Sequence, residues 1–386
     1  MKFKEILDNE PLKSKLAATV EEGRISHAQL FQGKQGSGSL QLALAYASFI
    51  HCEHPVDNDS CGSCLSCIKH QKFVHPDLHF TFPIAAVRQV KKPKCLDFLE
   101  QWREFLKSFP YAGINDWLIQ LGVENKQGFI PVEESTDIIK KLSLKSYESE
   151  YKIQIIWLPE KMAAPASNKL LKIIEEPPLK TIFILVSEAP EQLLPTILSR
   201  TQIIKIKSVD DNTLMNYISD VKNLELKQSR RIAHLCDGDI GKALEMASNY
   251  SHDTANDTAF ILWMRMLLKP LDNYIDISRW VDEIAGSGRE NQKTFLRFSI
   301  ETVRECLMVN HGDETLVRFD NEVIENFDKF SVFIHSGNAH DLMEILNHSY
   351  HAIERNANPK ILFLDLSFKI SRLLRVKKPH TVVQYN

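Results

Sequence analysis

The sequence predicts an α/β domain with a parallel sheet flanked by helices, followed by a small helical domain and an all-helical C-terminal domain. Three observations predict this fold class. Residues 153–158 and 181–186 are β-branched and aromatic runs of strand length that enclose a helical stretch. A glycine-rich loop joins another predicted strand to a predicted helix, and the pattern beyond residue 207 is helical throughout. The sheet is therefore expected in the first half of the chain.

Composition and charge restrict the function. The chain has 386 residues, 25% charged and 44% hydrophobic, enough for two or three domains. A formal net charge of −3 provides no overall basic field, so strong nucleic-acid binding by this chain alone is not expected. No stretch reaches the roughly 18 apolar residues that span a bilayer, which favours a cytoplasmic protein without membrane contact. In that compartment, seven cysteines favour metal or core positions over disulfides.

The chain opens with one or two amphipathic helices, which end near Gly23. Residues 27–31 then read as a strand, and residues 40–50 as an amphipathic helix. The apolar positions that predict the first helices are Phe3, Ile6, Leu7, Leu12, Leu16 and Val20. This strand, loop and helix order is the context of a phosphate-binding loop.

The loop itself lacks two residues that ATP chemistry requires. Gly33, Gly36 and Gly38 keep the glycine-rich character of a phosphate-binding loop, and Gly33 and Gly38 keep the spacing of its two glycines. Ser39 stands where a functional loop has the phosphate-binding lysine, and Leu40 stands where it has the magnesium-binding hydroxyl. The backbone of such a loop can still cradle an anion. Weak nucleotide binding thus remains an alternative, but a structural turn without ATP hydrolysis is the preferred interpretation.

Four cysteines directly after this helix have the spacing of a metal site. Cys52, Cys61, Cys64 and Cys67 form the pattern C-x8-C-x2-C-x2-C, which suits a closed tetrahedral zinc site with a structural role. A redox pair and scattered core cysteines are the alternatives, and the polar run DNDSCGSC argues against core burial. His51, His54 and His70 flank the pattern and could compete as ligands, but as lone histidines we expect them at the surface.

The β-α-β unit is followed by the residue on which the functional prediction depends most. The enclosed helix, residues 164–174, ends before Pro177 and Pro178. After the second strand we expect a short helix over 191–198 and a third strand over 202–206. Arg200 thus lies at a helix-to-strand junction, where its side chain should project from the domain edge without a ligand in its own chain.

The remaining chain is predicted to be helical. Residues 213–221, 229–235 and 241–247 form a three-helix lid, and the polar segment 249–257 separates it from the C-terminal domain. Four further helices have apolar residues at helical spacing, over residues 260–268, 295–309, 342–353 and 361–374. The predicted domains are 1–207, which carries the cysteine module at 52–67, then 208–250 and 251–386.

The string NKLLKIIEEPP, followed by ILSR, resembles the clamp-loader branch of the AAA+ family. There the second motif continues with cysteine, where this chain has Thr201. The resemblance covers most of the chain and includes a four-cysteine module after the loop helix. It implies an AAA+ P-loop domain, a lid and a C-terminal collar through which five subunits associate. Residues 352–359 are similar to the end of that collar.

The resemblance also identifies further losses. Active members have an Asp-Glu pair after the central strand, where this chain has Leu158 and Pro159 with only Glu160 nearby. The lid arginine that reaches the nucleotide is replaced by Gly241, and Lys242 should face away. Compared with the family core, residues from about 85 to 130 are an insertion.

The insertion combines basic residues with an aromatic run. The basic residues are Arg88, Lys91, Lys92 and Lys94, and the aromatic residues are Phe98, Trp102, Phe105 and Phe109. This combination is compatible with single-strand binding. Packing of an amphipathic insertion on the core is the preferred interpretation.

Together with the missing nucleotide-site residues, this resemblance implies a non-hydrolysing subunit of the clamp loader of bacterial DNA polymerase III. Its partners would be the other subunits of a hetero-pentameric ring, the sliding clamp and, through the complex, primed DNA. Arg200 would act in trans on ATP bound by a neighbouring subunit, while this chain holds only structural zinc. The alternatives are an Arg200 that only caps a strand end, a hydrolysing clamp-loader subunit, and a zinc-dependent nucleic-acid-binding module.

Overall fold

The computed structural model describes residues 1–87, 93–123, 126–248, 250–311 and 330–376, without the side chains of 250–257, 290 and 311. The chain divides into two compact units, Met1–Ala247 and Ser248–Asn386. The lid helices belong to the first unit, and the predicted domain boundaries after residues 207 and 250 stay predictions. Arg88, Lys91 and Lys92 of the predicted basic patch, and Asn249 of the predicted linker, lie outside the described residues.

The first unit contains a five-stranded sheet in which all neighbouring strands are parallel, with the order β2-β3-β4-β1-β5. Every residue of β3 and β4 is buried, as expected for central strands covered by helices on both faces. The strands are β1 Ala28–Gln32, β2 Leu78–Thr81, β3 Lys152–Trp157, β4 Thr181–Ser187 and β5 Gln202–Lys205. The predicted parallel sheet is confirmed.

The helices of the first unit surround this sheet. They are α1 Glu10–Glu21, α2 Ser39–Ile50, α3 Leu65–Gln71, α4 Leu99–Ser108, α5 Ile114–Gln120, α6 Val132–Ser143, α7 Ala164–Glu175, α8 Pro195–Leu198, α9 Asp211–Lys222, α10 Leu226–Cys236 and α11 Ile240–Ser248. Helices α2 and α4 contribute to the core on one side of the sheet, and α6 and α7 to the core on the other.

Two details of the predicted helices are corrected. Helix α2 is not amphipathic, because all its residues from Ser39 to Phe49 are buried between the sheet and the N-terminal segment. The helix expected over 191–198 is broken into a 3-10 turn, Pro190–Gln192, and the one-turn helix α8. The break follows from Pro195, which disfavours helical backbone at Leu194 and holds it extended, with φ −61° and ψ 133°.

The insertion packs on the core. Its two ends are held together by reciprocal backbone hydrogen bonds between Ile84 and Phe129, of 2.9 and 3.0 Å. Trp102 and Trp117 are fully buried, and Trp102 stacks on Phe82 with ring centroids 4.3 Å apart. Single-strand binding requires exposed aromatic faces. Phe109, 53% exposed, is the exception in the predicted aromatic run, so the run serves mainly the core.

The second unit is helical where it is described. Trp263 stacks on Trp280 with centroids 4.7 Å apart, and its indole N–H donates to Ser367 Oγ at 2.8 Å. The helices are α12 Tyr250–Leu268, α13 Tyr274–Gly286, α14 Arg289–His311, α15 Ala339–Glu354 and α16 Pro359–Leu373. Within the described ranges, none of the helices of either unit has the length and apolarity to cross a membrane.

Candidate functional site

The glycine loop lies where three strands end at one edge of the sheet. Strand β1 runs into Gly33, whose N–H donates to the Ser187 carbonyl at the end of β4 over 3.2 Å. Strand β3 runs into Leu158, whose N–H donates to the Val186 carbonyl over 2.8 Å. Ligands of open α/β sheets bind outside the carboxyl ends of the strands. The loop is therefore at the position where a nucleotide would bind.

The interior of this loop is filled by two serine side chains. The Ser37 and Ser39 hydroxyls are hydrogen-bonded at 2.8 Å and buried. They lie so close to Gly33 that a Cβ atom there would meet Ser39 Oγ at 2.1 Å. Gly38 keeps the left-handed backbone of a phosphate-binding loop, with φ +80°. Leu40, in the position of the magnesium-binding hydroxyl, is a core residue, 6% exposed.

The lid is bound directly to the loop. The Ile240 N–H at the start of α11 donates to the Gly36 carbonyl over 3.1 Å. Asp239 caps this helix by accepting the Lys242 N–H at 2.9 Å, and a Cβ atom on Gly36 would lie only 1.9 Å from its Oδ1. Gly36 thus permits a close contact between the loop and the lid that a side chain at this position would prevent. The Lys242 ammonium donates to the Leu235 carbonyl at 2.8 Å, within the lid.

The insertion closes the site from a third direction. Tyr111, in the turn between α4 and α5, is 7% exposed, and its ring edge would be 3.4 Å from a Cβ atom on Gly38. Its carbonyl oxygen would be 2.4 Å from a Cβ atom on Gly241. A side chain at position 241 would therefore collide with the backbone of the insertion. The lid arginine of active relatives is not only missing here but sterically excluded.

Three acidic residues converge on the same edge. Glu160 Oε1 accepts the N–H groups of Glu188 and Ala189 at 2.9 and 3.1 Å. Burial, together with the nearby Glu160 and Asp239 carboxylates, raises the pKa of Glu188 to about 7. Burial also raises the pKa of Asp239. Carboxylates at this position repel phosphate, whereas a functional loop presents lysine and magnesium.

Glu188 and Asp239 were not predicted as site residues. Each directly borders an element that ends or begins at this edge, β4 for Glu188 and α11 for Asp239. Their positions, at the end of the β-α-β unit and within the lid motif, could have identified them as site residues.

The pKa of Glu188 predicts a pH-dependent stability. Its folded-state value of about 7 lies above the ordinary 4.5. Stability is therefore lost as the pH rises from about 4.5 to about 7, since the unfolded chain ionises first. We expect Glu188→Gln to raise the free energy of unfolding by up to about 3 kcal/mol at about pH 8 and to change it little at about pH 4.

Urea unfolding at the two pH values measures this difference. Glu191→Gln, at an exposed position on the next segment, is the matched control and should be neutral at both. Equal effects of Glu188→Gln at both pH values would contradict the assignment.

Arg200 lies between α8 and β5 as predicted, but it has partners in its own chain. Its Nε donates to Glu175 Oε2 at 2.9 Å, and its Nη1 donates to the Thr196 carbonyl at 3.1 Å. This pair forms because the end of α7 places Glu175 beside Arg200, and the expectation that Arg200 serves no nucleotide of its own chain stays a prediction. The Arg200 side chain is 32% exposed and that of Glu175 55%, so the pair is solvent-accessible. Such pairs contribute only about 0–1 kcal/mol and are easily exchanged.

The four predicted metal ligands come together. Their sulfur atoms all lie within 4.8 Å of one another, and those of Cys61 and Cys67 are 3.9 Å apart. Zn–S bonds of about 2.3 Å in a tetrahedron place sulfurs about 3.8 Å apart. All four thiols are free rather than paired in disulfides.

Backbone groups further prepare this cysteine cluster for a cation. The Cys64 N–H donates to Cys61 Sγ at 3.3 Å, and the Cys67 N–H donates to Cys64 Sγ at 3.4 Å. Backbone N–H groups of Ser63 and Cys64 lower the pKa of Cys61 to about 6. Burial raises the pKa of Cys67, so the donor set is completed as thiolates only when a cation compensates their charge. The residues fit zinc.

The flanking histidines correct a prediction. His54 is exposed as expected. His51 and His70, however, are 4% and 3% exposed, and they lie against a third buried histidine, His75. The prediction treated each histidine as an isolated residue. The fold instead brings the ends of three elements together, so that the histidines bury one another.

A five-stranded parallel sheet, a glycine loop after β1 and a helical lid on that loop form the AAA+-like architecture that the sequence resemblance implies. The sequence matches the family described as "DNA polymerase III, delta subunit" over residues 8–210, more than half of the chain. The chain belongs to this family.

Curated relatives carry related names. "DNA polymerase III subunit tau" of Bacillus subtilis (strain 168) is 25% identical over 382 residues, covering 94% of this chain and 60% of the relative. "DNA polymerase III subunit delta'" of the same organism is 27% identical over 248 residues, covering 64% of this chain and 62% of the relative. The chain thus spans about three fifths of the length of these two relatives.

Among solved structures, a DNA polymerase III gamma subunit-related protein of Thermotoga maritima is similar. The TM-score is 0.41 at 14% identity, and the similarity covers 94% of this chain and 100% of that one.

Proposed function

We propose that this chain is a non-hydrolysing, delta-prime-like subunit of the clamp loader of DNA polymerase III, which assists ATP-dependent loading of the sliding clamp onto primed DNA. The observation that carries this proposal is the closed nucleotide position. Ser37 and Ser39 fill the loop, Asp239 of the lid lies against Gly36, and Tyr111 covers Gly38 and Gly241. These contacts support a loop that has no room for a nucleotide.

Closure distinguishes this chain from one that has merely lost two catalytic residues. A loop lacking only Lys and the hydroxyl could regain ATP binding when they are restored. Here the lid is hydrogen-bonded to the loop, and the carboxylates of Glu160, Glu188 and Asp239 surround the position. Nucleotide binding would require separating the lid from the loop and bringing phosphates next to these acids.

The isolated chain should therefore neither bind nor hydrolyse ATP measurably. We further expect the double variant Ser39→Lys/Leu40→Thr to remain inactive, because Asp239 and Tyr111 still close the site. Calorimetric ATP titration and a phosphate-release assay measure binding and turnover. Turnover by the wild-type chain that a Gly38 substitution abolishes would contradict the proposal, and restored binding in the double variant would contradict the closure.

The role proposed for Arg200 is to act in trans. Its guanidinium would neutralise charge on the γ-phosphate of ATP held by the neighbouring subunit. Its position beyond α8 and its 32% exposed side chain support this, as does the weak, exchangeable partner Glu175. A phosphate bearing several negative charges competes well with one exposed carboxylate for the guanidinium fork.

The other parts of the chain would serve assembly. The cysteine cluster would hold one structural zinc ion, and the helical second unit would act as the collar of a hetero-pentameric ring. Contacts with the clamp and with primed DNA would be made through the complex, because a net charge of −3 provides no overall attraction to nucleic acid. The cytoplasmic location stays a prediction.

A tau- or gamma-type ATPase subunit is the second candidate. The similarity to the tau protein of Bacillus subtilis covers 94% of this chain, whereas the similarity to its delta' protein covers 64%. ATP turnover by the isolated chain separates the two candidates.

Assembly is tested by co-purification with the other clamp-loader subunits. A ring that forms and loads clamps normally without this chain would contradict its role as a loader subunit.

A further inference from the structure

A second cluster of metal-ligating side chains is formed by His51, His70 and His75. Each is at most 4% exposed, and their ring centroids are 4.4–5.0 Å apart. One ring nitrogen of each residue lies within 4.8 Å of a ring nitrogen of the other two. We propose that these three histidines, the histidine cluster, bind a divalent transition metal of the zinc type at a site separate from the cysteine cluster.

The three ligands come from three elements that the fold holds firmly. His51 ends α2, His70 lies in the last turn of α3, and His75 precedes β2. A loop before β3 covers them and is itself fixed by Asp77, whose carboxylate accepts the N–H groups of residues 147–149 at 2.6–2.8 Å. Ligands held by packed elements are the preorganised kind that metal sites require.

The hydrogen bonds determine which nitrogens carry lone pairs. Metal ligation requires neutral imidazole rings, in which one nitrogen carries a proton and the other a lone pair. His51 Nε2 faces the Tyr151 carbonyl at 2.9 Å and must donate, so its Nδ1 has the lone pair. His75 Nδ1 accepts the Asp77 N–H at 3.2 Å, so its proton is on Nε2, which donates to Ser149 Oγ at 3.2 Å.

One of the rings, that of His51, therefore already has the arrangement of a metal-bound histidine. In such residues one nitrogen ligates the metal while the other donates to a carbonyl or another acceptor, which fixes the ring orientation. His51 donates from Nε2 and presents Nδ1, whereas His75 Nδ1 must release the Asp77 N–H before it can ligate a metal. The third ligand is His70 Nε2, which already lies 2.9 Å from His51 Nδ1. With a metal between them, His70 carries its proton on Nδ1.

The distances between the ligand nitrogens require shifts of up to about 1.5 Å. Zn–N bonds of about 2.0–2.1 Å in a tetrahedron place ligand nitrogens about 3.3 Å apart. The 2.9 Å between His51 and His70 must widen slightly, and the third nitrogen must approach from within 4.8 Å. Three imidazoles without thiolate suit zinc, cobalt, nickel or copper. Water would complete the coordination, because the cluster has no fourth His, Cys, Asp or Glu among the residues that the structure describes.

The proposal is tested by measuring how many metal ions each chain binds. Metal-free protein is titrated with Co²⁺ and then Zn²⁺, with bound metal measured by mass spectrometry and the cobalt spectrum recorded. We expect two equivalents in the wild type, one with thiolate charge transfer and one without. His75→Gln should retain only the thiolate-bound equivalent, and Cys61→Ser/Cys64→Ser only the other. His54→Gln, which alters the exposed flanking histidine, is the matched control and should bind two.

The outcomes decide between a metal site and a metal-free hydrogen-bonded cluster. One equivalent in the wild type, with a purely thiolate spectrum at saturating metal, overturns the proposal. So does a His75→Gln variant that binds as much metal as His54→Gln. If the variants fail to fold, the cobalt spectrum of the wild type still decides, because a second equivalent without thiolate bands supports the histidine site and its absence at saturating metal refutes it.

Discussion

Replacing Arg200 with alanine will leave the chain folded but will strongly lower the DNA- and clamp-stimulated ATPase activity of the reconstituted clamp loader. Arginine fingers contribute roughly a thousandfold or more to turnover at the site that they serve. Because one finger serves one of several ATP sites, the loss in total turnover will be partial and the loss in clamp loading larger. Arg200→Lys should rescue only partly, since an ammonium does not reproduce the planar guanidinium fork.

The pair with Glu175 provides the control for this prediction. If the only role of Arg200 is to hold α8 against the end of α7, then Glu175→Gln breaks the same ion pair and should lower the ATPase activity as much as Arg200→Ala does. If Arg200 acts in trans, Glu175→Gln leaves turnover unchanged or raises it, because the guanidinium loses a competitor for phosphate. Either variant should change the free energy of unfolding by less than about 1 kcal/mol. Wild-type loading rates with Arg200→Ala would identify Arg200 as a structural residue.

Disrupting the cysteine cluster should produce the largest loss of stability. We expect Cys64→Ser to lose the thiolate-bound metal and roughly 3 kcal/mol or more of unfolding free energy, because structural zinc binding contributes on the order of 10 kcal/mol and is coupled to folding. The module also anchors the N-terminus. Asp59 accepts the N–H groups of Phe3 and Lys4 at 2.9 and 3.1 Å, and the Lys2 ammonium donates to the Cys61 carbonyl at 2.6 Å.

The control is the same chemical change outside the cluster. Cys236→Ser replaces a buried lid cysteine and should leave the metal content unchanged, even where it lowers stability. Metal content by mass spectrometry, and unfolding with and without a chelator, provide the measurement. A wild-type chain that is free of metal and as stable with the chelator as without it would exclude a structural zinc site.

Local patterns predicted a large part of this protein. The β-branched runs of β3 and β4, the glycine spacing and the helical periodicity of the C-terminal half are properties of short segments, so the parallel sheet and the helices followed from them. The spacing of Cys52, Cys61, Cys64 and Cys67 brought four sulfurs together because the intervening turns are short. The prediction of a single helix over 191–198, which was based on apolar periodicity, was wrong because Pro195 interrupts that helix.

The sequence by itself determined that the loop lacks its lysine and magnesium-binding hydroxyl, since Ser39 and Leu40 are read directly from the motif. Only the tertiary structure decided that the site is closed, because Tyr111 and Asp239 reach the loop from distant parts of the chain. It likewise decided the pairing of Arg200 with Glu175 and the burial of the three histidines. Periodicity shows which face of an element is apolar, but the neighbours of a polar side chain depend on how elements far apart in sequence pack together.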